Sequence, residues 1–209
     1  MKKKRVGVRL FKAFVLCILL LGIVGVAAGG VFVKHVIDNT PEVTAKDILP
    51  QGYTTSIVDQ NGTVLEQLKD SDSNRVYKKY DEISKYMGDA FVAIEDERFY
   101  KHNGIDLQGI IRAGVVGVTH GFHFTEGAST LTQQLIKNNV FPNFVNETNS
   151  ERFERKIQEQ YLALKIEKQM SKKEILEAYM NTINLGQGCL GVQTAAKRYF
   201  NKDAADLTL

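Results

Sequence analysis

Tryptophan is absent from the 209 residues, and proline (3), cysteine (2) and histidine (4) are scarce. Without tryptophan there is no indole platform on which a sugar ring could stack. So little proline rules out a collagen-like or proline-rich disordered chain. Two cysteines, Cys17 and Cys189, cannot build a disulfide scaffold. Acid and base nearly balance, with a net charge of +3 that is unevenly spread. Six of the 27 basic residues (Lys2, Lys3, Lys4, Arg5, Arg9, Lys12) lie in residues 1–12, and none of the 24 acidic ones does. The remainder therefore carries 21 basic and 24 acidic residues, a net of −3. The basic character belongs to the N-terminus, and charge does not mark the bulk of the chain as a nucleic-acid binder.

What is present at the N-terminus is an uncharged run from Ala13 to Val33. At 1.5 Å per residue a helix of that length crosses a hydrocarbon core of roughly 30 Å. A signal-peptide core is shorter, although Ala27-Ala28-Gly29-Gly30 resembles a cleavage site. The basic residues before the run predict a cytoplasmic N-terminus, with everything after Lys34 on the outer face of the membrane. Gly25 and Gly29 form one GxxxG pair, a weak dimerisation signal. The reading is thus a basic tail (1–12), a transmembrane helix (13–33), a stalk and hairpin (34–77) and a domain from residue 78 onwards. Cys17 lies in the span, so a bridge to Cys189 is not expected. The neighbours of Cys189 offer neither base nor positive charge for a reactive thiol.

Thr54–Val58 and Thr63–Leu68 flank Asp59-Gln60-Asn61-Gly62, and Asn-Gly between β-prone runs predicts a hairpin. Beyond Tyr77 the pattern turns helical. Ile83, Met87, Phe91 and Ile94 form a stripe at helical spacing, predicting a helix from about Asp81 to Tyr100. Leu107 to Val118 predicts a second helix. Ser129 reads as the N-cap of a third that runs to about Val140. A polar loop from Pro142 to Ser150 precedes a long helix, Glu151–Gln169. Ser171 with Glu174 is a capping box that opens the next helix. A glycine-rich turn, Gly186 to Gly191, leads into a last helix, Val192–Phe200. The fold class is mostly α, entered through one small β-hairpin.

Three clusters carry the chemistry. Glu95, Asp96 and Glu97 stand at the C-terminal end of a predicted helix, where the dipole disfavours anions. Breaking a local rule in this way marks a candidate site. Glu95 beside the apolar stripe is expected to be partly desolvated, which suits a general base. Thr130, Gln134 and Lys137, at i, i+4 and i+7, share a helix face suited to phosphate and sugar hydroxyls. Arg155 and Glu159, at i and i+4, offer a second carboxylate held by an arginine, with Lys156 beside them. Each cluster taken alone also reads as an ordinary solvated helix face or end. His120 and His123 form an HxxH pair without further metal ligands. No GxSxG or SxxK serine-nucleophile motif occurs.

Together and in this order, these strings resemble the peptidoglycan glycosyltransferases of bacterial cell-wall synthesis. These enzymes are the N-terminal module of class A penicillin-binding proteins and also occur as monofunctional proteins. The first family motif, EDxxFxxHxG, matches Glu95, Asp96, Phe99, His102 and Gly104. The second matches Gly127 to Gln134 with Lys137 and Asn138. The third, RKxxE, matches Arg155, Lys156 and Glu159. The fourth resembles Ser171 to Asn181, with Met180 where leucine is usual. The fifth matches Gly186, Gly191, Ala195, Ala196, Tyr199 and Phe200. The loop Phe141–Ser150 looks long for the family.

The resemblance implies a lysozyme-like fold with a cleft between a larger lobe and a smaller lobe near the membrane. It implies lipid II as acceptor, a growing glycan chain as donor, and a β-1,4 linkage formed with inversion as lipid pyrophosphate leaves. Glu95 would be the general base. Lys137 and Arg155 would stabilise the pyrophosphate, and Glu159 would steer that region or a divalent cation, Mg²⁺ or Mn²⁺. Thr130, Gln133, Gln134 and Asn138 would line the donor groove, with Ser129 and Lys156 also binding substrate. Asp96, Phe99 and His102 would shape the cleft floor. Cell-wall synthesis proteins would be partners, and the loop His120–Gly127, with Phe122 and Phe124, would dip towards lipid. Family members continue through further helices beyond the point matching Leu209, so the domain is expected to be incomplete here. No transpeptidase module is expected in these residues. A lysozyme-like hydrolase and a non-catalytic lipid II-binding scaffold are the competing classes. The hydrolase would not need the basic, amide-rich strip or the anchor.

Overall fold

The computed structural model describes residues 2–68, 74–120, 127–141 and 143–209, with the side chains of residues 2–10 and 67 excepted. The loop expected to dip towards lipid, with His123, Phe122 and Phe124, falls outside the described residues. Two compact units are present, Met1–Pro41 and Glu42–Leu209.

The first unit is the helix α1, Lys2–Asp38. It outruns the predicted span at both ends because nothing in the flanking residues breaks a helix. Its segment Phe11–Asp38 is long and apolar enough to cross a membrane. Asn39 ends it, its side-chain amide donating to the carbonyl of His35 at 2.8 Å.

The second unit is mostly α, as the sequence predicts, and this agrees with a lysozyme-like architecture. Residues 42–52 are not a stalk. Val43 and Ile48 are buried in the core of this unit. Strands β1 (Thr55–Val58) and β2 (Val64–Leu68) pair antiparallel. Asn-Gly does not act alone as a two-residue turn. The loop spans Asp59 to Thr63, and Asp59 accepts hydrogen bonds from the amides of Asn61 and Thr63, both at 2.8 Å. The register shift between Ile57 and Val58 absorbs the longer loop.

Helix α2 covers Lys85–Glu95, shorter than predicted. The stripe explains why. Ile83 is buried and Met87 and Phe91 pack on the core, but Ile94 is 80% exposed, so burial stops supporting the helix there. Helix α3 (Leu107–Thr119) turns Gly109, Ala113 and Gly117 inward and leaves Leu107, Ile111, Val115 and Val118 exposed.

The core is built where α4 (Leu131–Val140) packs on both α5 (Asn149–Ile166) and α6 (Lys172–Thr182). Leu131 and Leu135, one turn apart, bury completely with Ile136. They meet Leu162, Ala163 and Ile166 of α5 and Ile175, Leu176 and Tyr179 of α6 within one cluster. Each such aliphatic side chain contributes about 1.5–3 kcal/mol by leaving water. Capping fixes where the helices begin. Thr148 and Glu151 form a capping box on α5, two residues earlier than the sequence suggested, and Ser171 with Glu174 forms the predicted one on α6. Helix α7 (Val192–Phe200) closes the unit.

Candidate active site

The site grows from the end of α2. Asp96, not Glu95, is the desolvated acid: it is 7% exposed, whereas Glu95 is open to solvent. Asp96 caps α2 and turns inward. It accepts from the amide of Leu131 at 3.0 Å and pairs with His102 Nε2 at 2.9 Å. His102 Nδ1 accepts from the amide of Gly104 at 3.1 Å, which leaves the proton on Nε2. This triangle ties the α2 end to the start of α4.

Gly104 is the other tie. Its carbonyl receives the Thr130 hydroxyl at 2.9 Å and the Gln133 amide at 3.0 Å. Its φ is +94°, and a Cβ there would lie 2.8 Å from the Ala163 backbone, so only glycine fits. Thr130, rather than Ser129, is the N-cap of α4, accepting from the Gln133 amide. Thr130 and Gln133 are buried, at 1% and 2% exposure, and bond within the protein. Phe99 is fully buried, with the Lys172 ammonium 4.4 Å from its ring centroid. Thr130 and Gln133, expected in the donor groove, are thus buried beneath it together with Phe99.

What faces outward is a smaller set. Gln134 Nε2 donates to Glu95 Oε2 at 2.9 Å, and Gln134 Oε1 accepts from the Tyr179 hydroxyl at 3.1 Å. Burial first, and then the charge of Glu95, pushes the Tyr179 phenol upwards. Glu95 and Ser129 line a cavity of about 220 Å³ with Arg98 and Arg112. Lys156 reaches Ser129 Oγ at 2.9 Å from the cation cluster beyond.

That cluster is Lys137, Arg155 and Lys156. Glu159 is completely buried, with one carboxylate oxygen on Arg155 Nη1 and the other 2.7 Å from Lys156 Nζ. Arg155 Nε also pairs with Glu147 at 2.6 Å. The Glu147 hydrogen bond, ahead of the Glu159 charge, holds the Arg155 guanidinium firmly protonated. Lys137 lies lower than a free lysine, chiefly because it is half-buried and next because Lys156 repels it. Three cations against two carboxylates, Glu159 buried and Glu147 slightly exposed, leave a net positive pocket, the arrangement that receives an anionic group. Asn138 is half-buried on the same helix.

A transglycosylase family model matches residues 61–209. The chain belongs to the transglycosylase family. It is 42% identical over 204 residues to penicillin-binding protein 1A of Clostridium perfringens (strain 13), covering 96% of this chain and 29% of that protein. It is 39% identical over 212 residues to penicillin-binding protein 1A of Clostridium botulinum (strain Langeland), covering 100% of this chain and 25% of that protein. A more distant relative is penicillin-binding protein 1A of Rickettsia bellii, 38% identical over 157 residues. The chain spans about a quarter of the length of the curated relatives it matches.

In this transglycosylase two contributors escaped the sequence reading. Tyr179 sits in the fourth motif, but only the packing of α6 on α4 brings its hydroxyl to Gln134. Glu147 lies eight residues before Arg155, a spacing without helical meaning because α5 begins between them. A divalent ion does not fit Glu159 as the transglycosylase folds here. Both of its oxygens are taken by cations, and the described residues contain no group of three His, Cys, Asp or Glu able to hold a metal.

Proposed function

We propose that the chain polymerises lipid II into β-1,4-linked glycan strands during bacterial cell-wall synthesis, releasing undecaprenyl pyrophosphate. The observation that carries this is that Glu95, held by Gln134, lines a cavity with Ser129, whose hydroxyl oxygen is reached by Lys156 of the cation cluster. Glu95 takes the proton from the 4-hydroxyl of the acceptor, lipid II. The freed oxygen attacks the anomeric carbon of the donor, the growing chain, from the face opposite the pyrophosphate. The carbon–oxygen bond to pyrophosphate breaks, and the leaving group departs with the electron pair. Lys137, Arg155 and Lys156 offset the negative charge that develops there. Ser129, Gln134 and Asn138 contact substrate, while Asp96, Phe99, His102, Thr130 and Gln133 hold the floor in place.

Helix α1 is proposed as a single-pass anchor with the N-terminus cytoplasmic, since its basic residues precede the apolar span. The domain then works on the outer face of the cytoplasmic membrane, beside a substrate confined to the same bilayer and near other cell-wall synthesis proteins. The exposed apolar face of α3 fits work against lipid. A glycoside hydrolase would want a second free carboxylate. Glu159, buried between two cations, speaks against that reading.

The test is polymerisation of lipid II by the detergent-solubilised full chain beside Glu95→Gln. Long glycan strands from the wild type and none from the variant are expected. Unchanged lipid II that nevertheless binds tightly would instead favour a scaffold.

A further inference from the structure

We infer that Glu147, in the loop before α5, is a positioning residue that fixes the guanidinium plane of Arg155 for the pyrophosphate of the donor. The inference rests on the proposed reading of the cation pocket.

The backbone delivers Glu147 to this place by local rules. Phe144–Asn146 forms one 3₁₀ turn, and Thr148 is the N-cap of α5. Glu147 is thereby held between a turn and a capping box. Its own carboxylate does none of the usual work of an acid at a helix start. The N-terminal amide of α5 is capped by Thr148, and Thr148 is in turn bonded by Glu151. Glu147 is only slightly exposed, so solvation does not explain it. One oxygen accepts from Arg155 Nε at 2.6 Å, and the other is buried without a hydrogen-bond partner among the described residues. All of its bonding is directed at Arg155.

Arg155 shows what that contact achieves. Glu159 pins Nη1 and Glu147 pins Nε. A guanidinium held at one nitrogen can still pivot; held at two, its plane is fixed and Nη2 is left to donate to a ligand. The same turn adds a second support. The Phe144 ring centroid lies 4.8 Å from Lys137 Nζ and 5.8 Å from the Arg155 guanidinium carbon. Arg155, Glu147 and Phe144 share the wall of a cavity of about 480 Å³ that Glu151 and Glu154 also line, so this part of the Arg155 side chain is not packed over.

Glutamine and alanine at position 147 both remove the negative charge, but only glutamine keeps an acceptor for Nε. The difference between the two variants therefore isolates positioning from electrostatics. Binding of inorganic pyrophosphate to the full chain in detergent would be measured by calorimetry for wild type, Glu147→Gln, Glu147→Ala and Arg155→Ala, and for Arg155→Ala combined with each change at 147. Glu147→Ala should bind about 5–10-fold more weakly than Glu147→Gln, the value of one ordinary hydrogen bond. In the Arg155→Ala background the two should be equal. Equal affinities of the two variants when Arg155 is intact, or the same gap in the Arg155→Ala background, would overturn the inference alone. Pyrophosphate binding that does not respond to Arg155→Ala would instead sink the reading of the pocket itself.

Discussion

Gln134 points its amide nitrogen at Glu95, 2.9 Å from Oε2, and its amide oxygen accepts from the Tyr179 hydroxyl at 3.1 Å. An amide left to itself can flip and present oxygen to a carboxylate, which repels it. The acceptor-only Glu95 carboxylate selects the nitrogen, and the Tyr179 hydroxyl completes the arrangement by donating to the amide oxygen. The core thus reaches the Glu95 carboxylate through two hydrogen bonds.

Removing the donor should release Glu95 from its place. Gln134→Leu is expected to lower kcat about tenfold with a smaller change in KM, because the bond is to a charged but solvent-open group. Tyr179→Phe should cost less, about threefold, since it permits the flip without removing the amide. Initial rates of lipid II polymerisation measure both. Equal losses in the two variants would mean that Tyr179 acts on packing, not on the amide.

Asp96 is expected to matter for stability first and for turnover through it. It is buried with His102 Nε2 and the Leu131 amide as its partners. Asp96→Ala leaves both donors without an acceptor in the interior, at a cost of about 2–4 kcal/mol. Thermal unfolding of the full chain should show a drop in Tm, and activity measured well below the new Tm should recover in part. A variant as stable as the wild type but inactive would move Asp96 into the reacting set.

The helices were legible in the sequence wherever period and cap agreed. Ser171 with Glu174 opens α6 as read, and Val192–Phe200 is the last helix as read. They were misread where tertiary burial decides. Ile94 continues the stripe in the sequence yet faces solvent, so α2 ends early and Glu95 is exposed while Asp96 goes inside. Ser129 and Thr130 are equivalent as caps until the Gly104 carbonyl selects Thr130. The residues of the three motifs do converge, but their division into floor and face was not readable. Thr130 and Gln133 share the motif of Gln134 and Lys137 and differ only in the direction they point. Glu147 was invisible because its partner lies across a helix start, where no spacing rule applies.

Glu159 gives a separate expectation for divalent ions. Its oxygens are committed to Arg155 and Lys156, so the ligand-free chain offers it no vacant coordination site. An ion that bound the folded state tightly would raise its stability by mass action. Millimolar Mg²⁺ or Mn²⁺ should therefore shift the Tm of the full chain by less than about 1 °C, and a chelator should leave it unchanged. A shift of several degrees, lost in Glu159→Gln, would show that the carboxylate leaves its cations for a metal.

Lys137 is expected to set the alkaline side of the pH profile. Burial, and then Lys156 and Arg155, disfavour its charged form, while Glu159 and Glu95 partly offset them; the balance lies below the ordinary lysine value of 10.5. The sign for stability follows from linkage. A lysine whose folded pKa is lowered carries a penalty while charged, fully present below the folded pKa and relieved as pH rises towards the unfolded one. The sign for activity is the reverse if, as proposed, the ammonium offsets the charge of the leaving pyrophosphate. The kcat of the wild type should fall as pH rises through that lowered value. Lys137→Arg should move the alkaline limb to higher pH, since a guanidinium stays protonated there, even if its shape lowers the plateau. Lys137→Met should lose most of the rate at every pH and gain relative stability near neutrality. Polymerisation rates and Tm values across the alkaline range test both signs together. An alkaline limb unmoved in Lys137→Arg would assign the titration to another group.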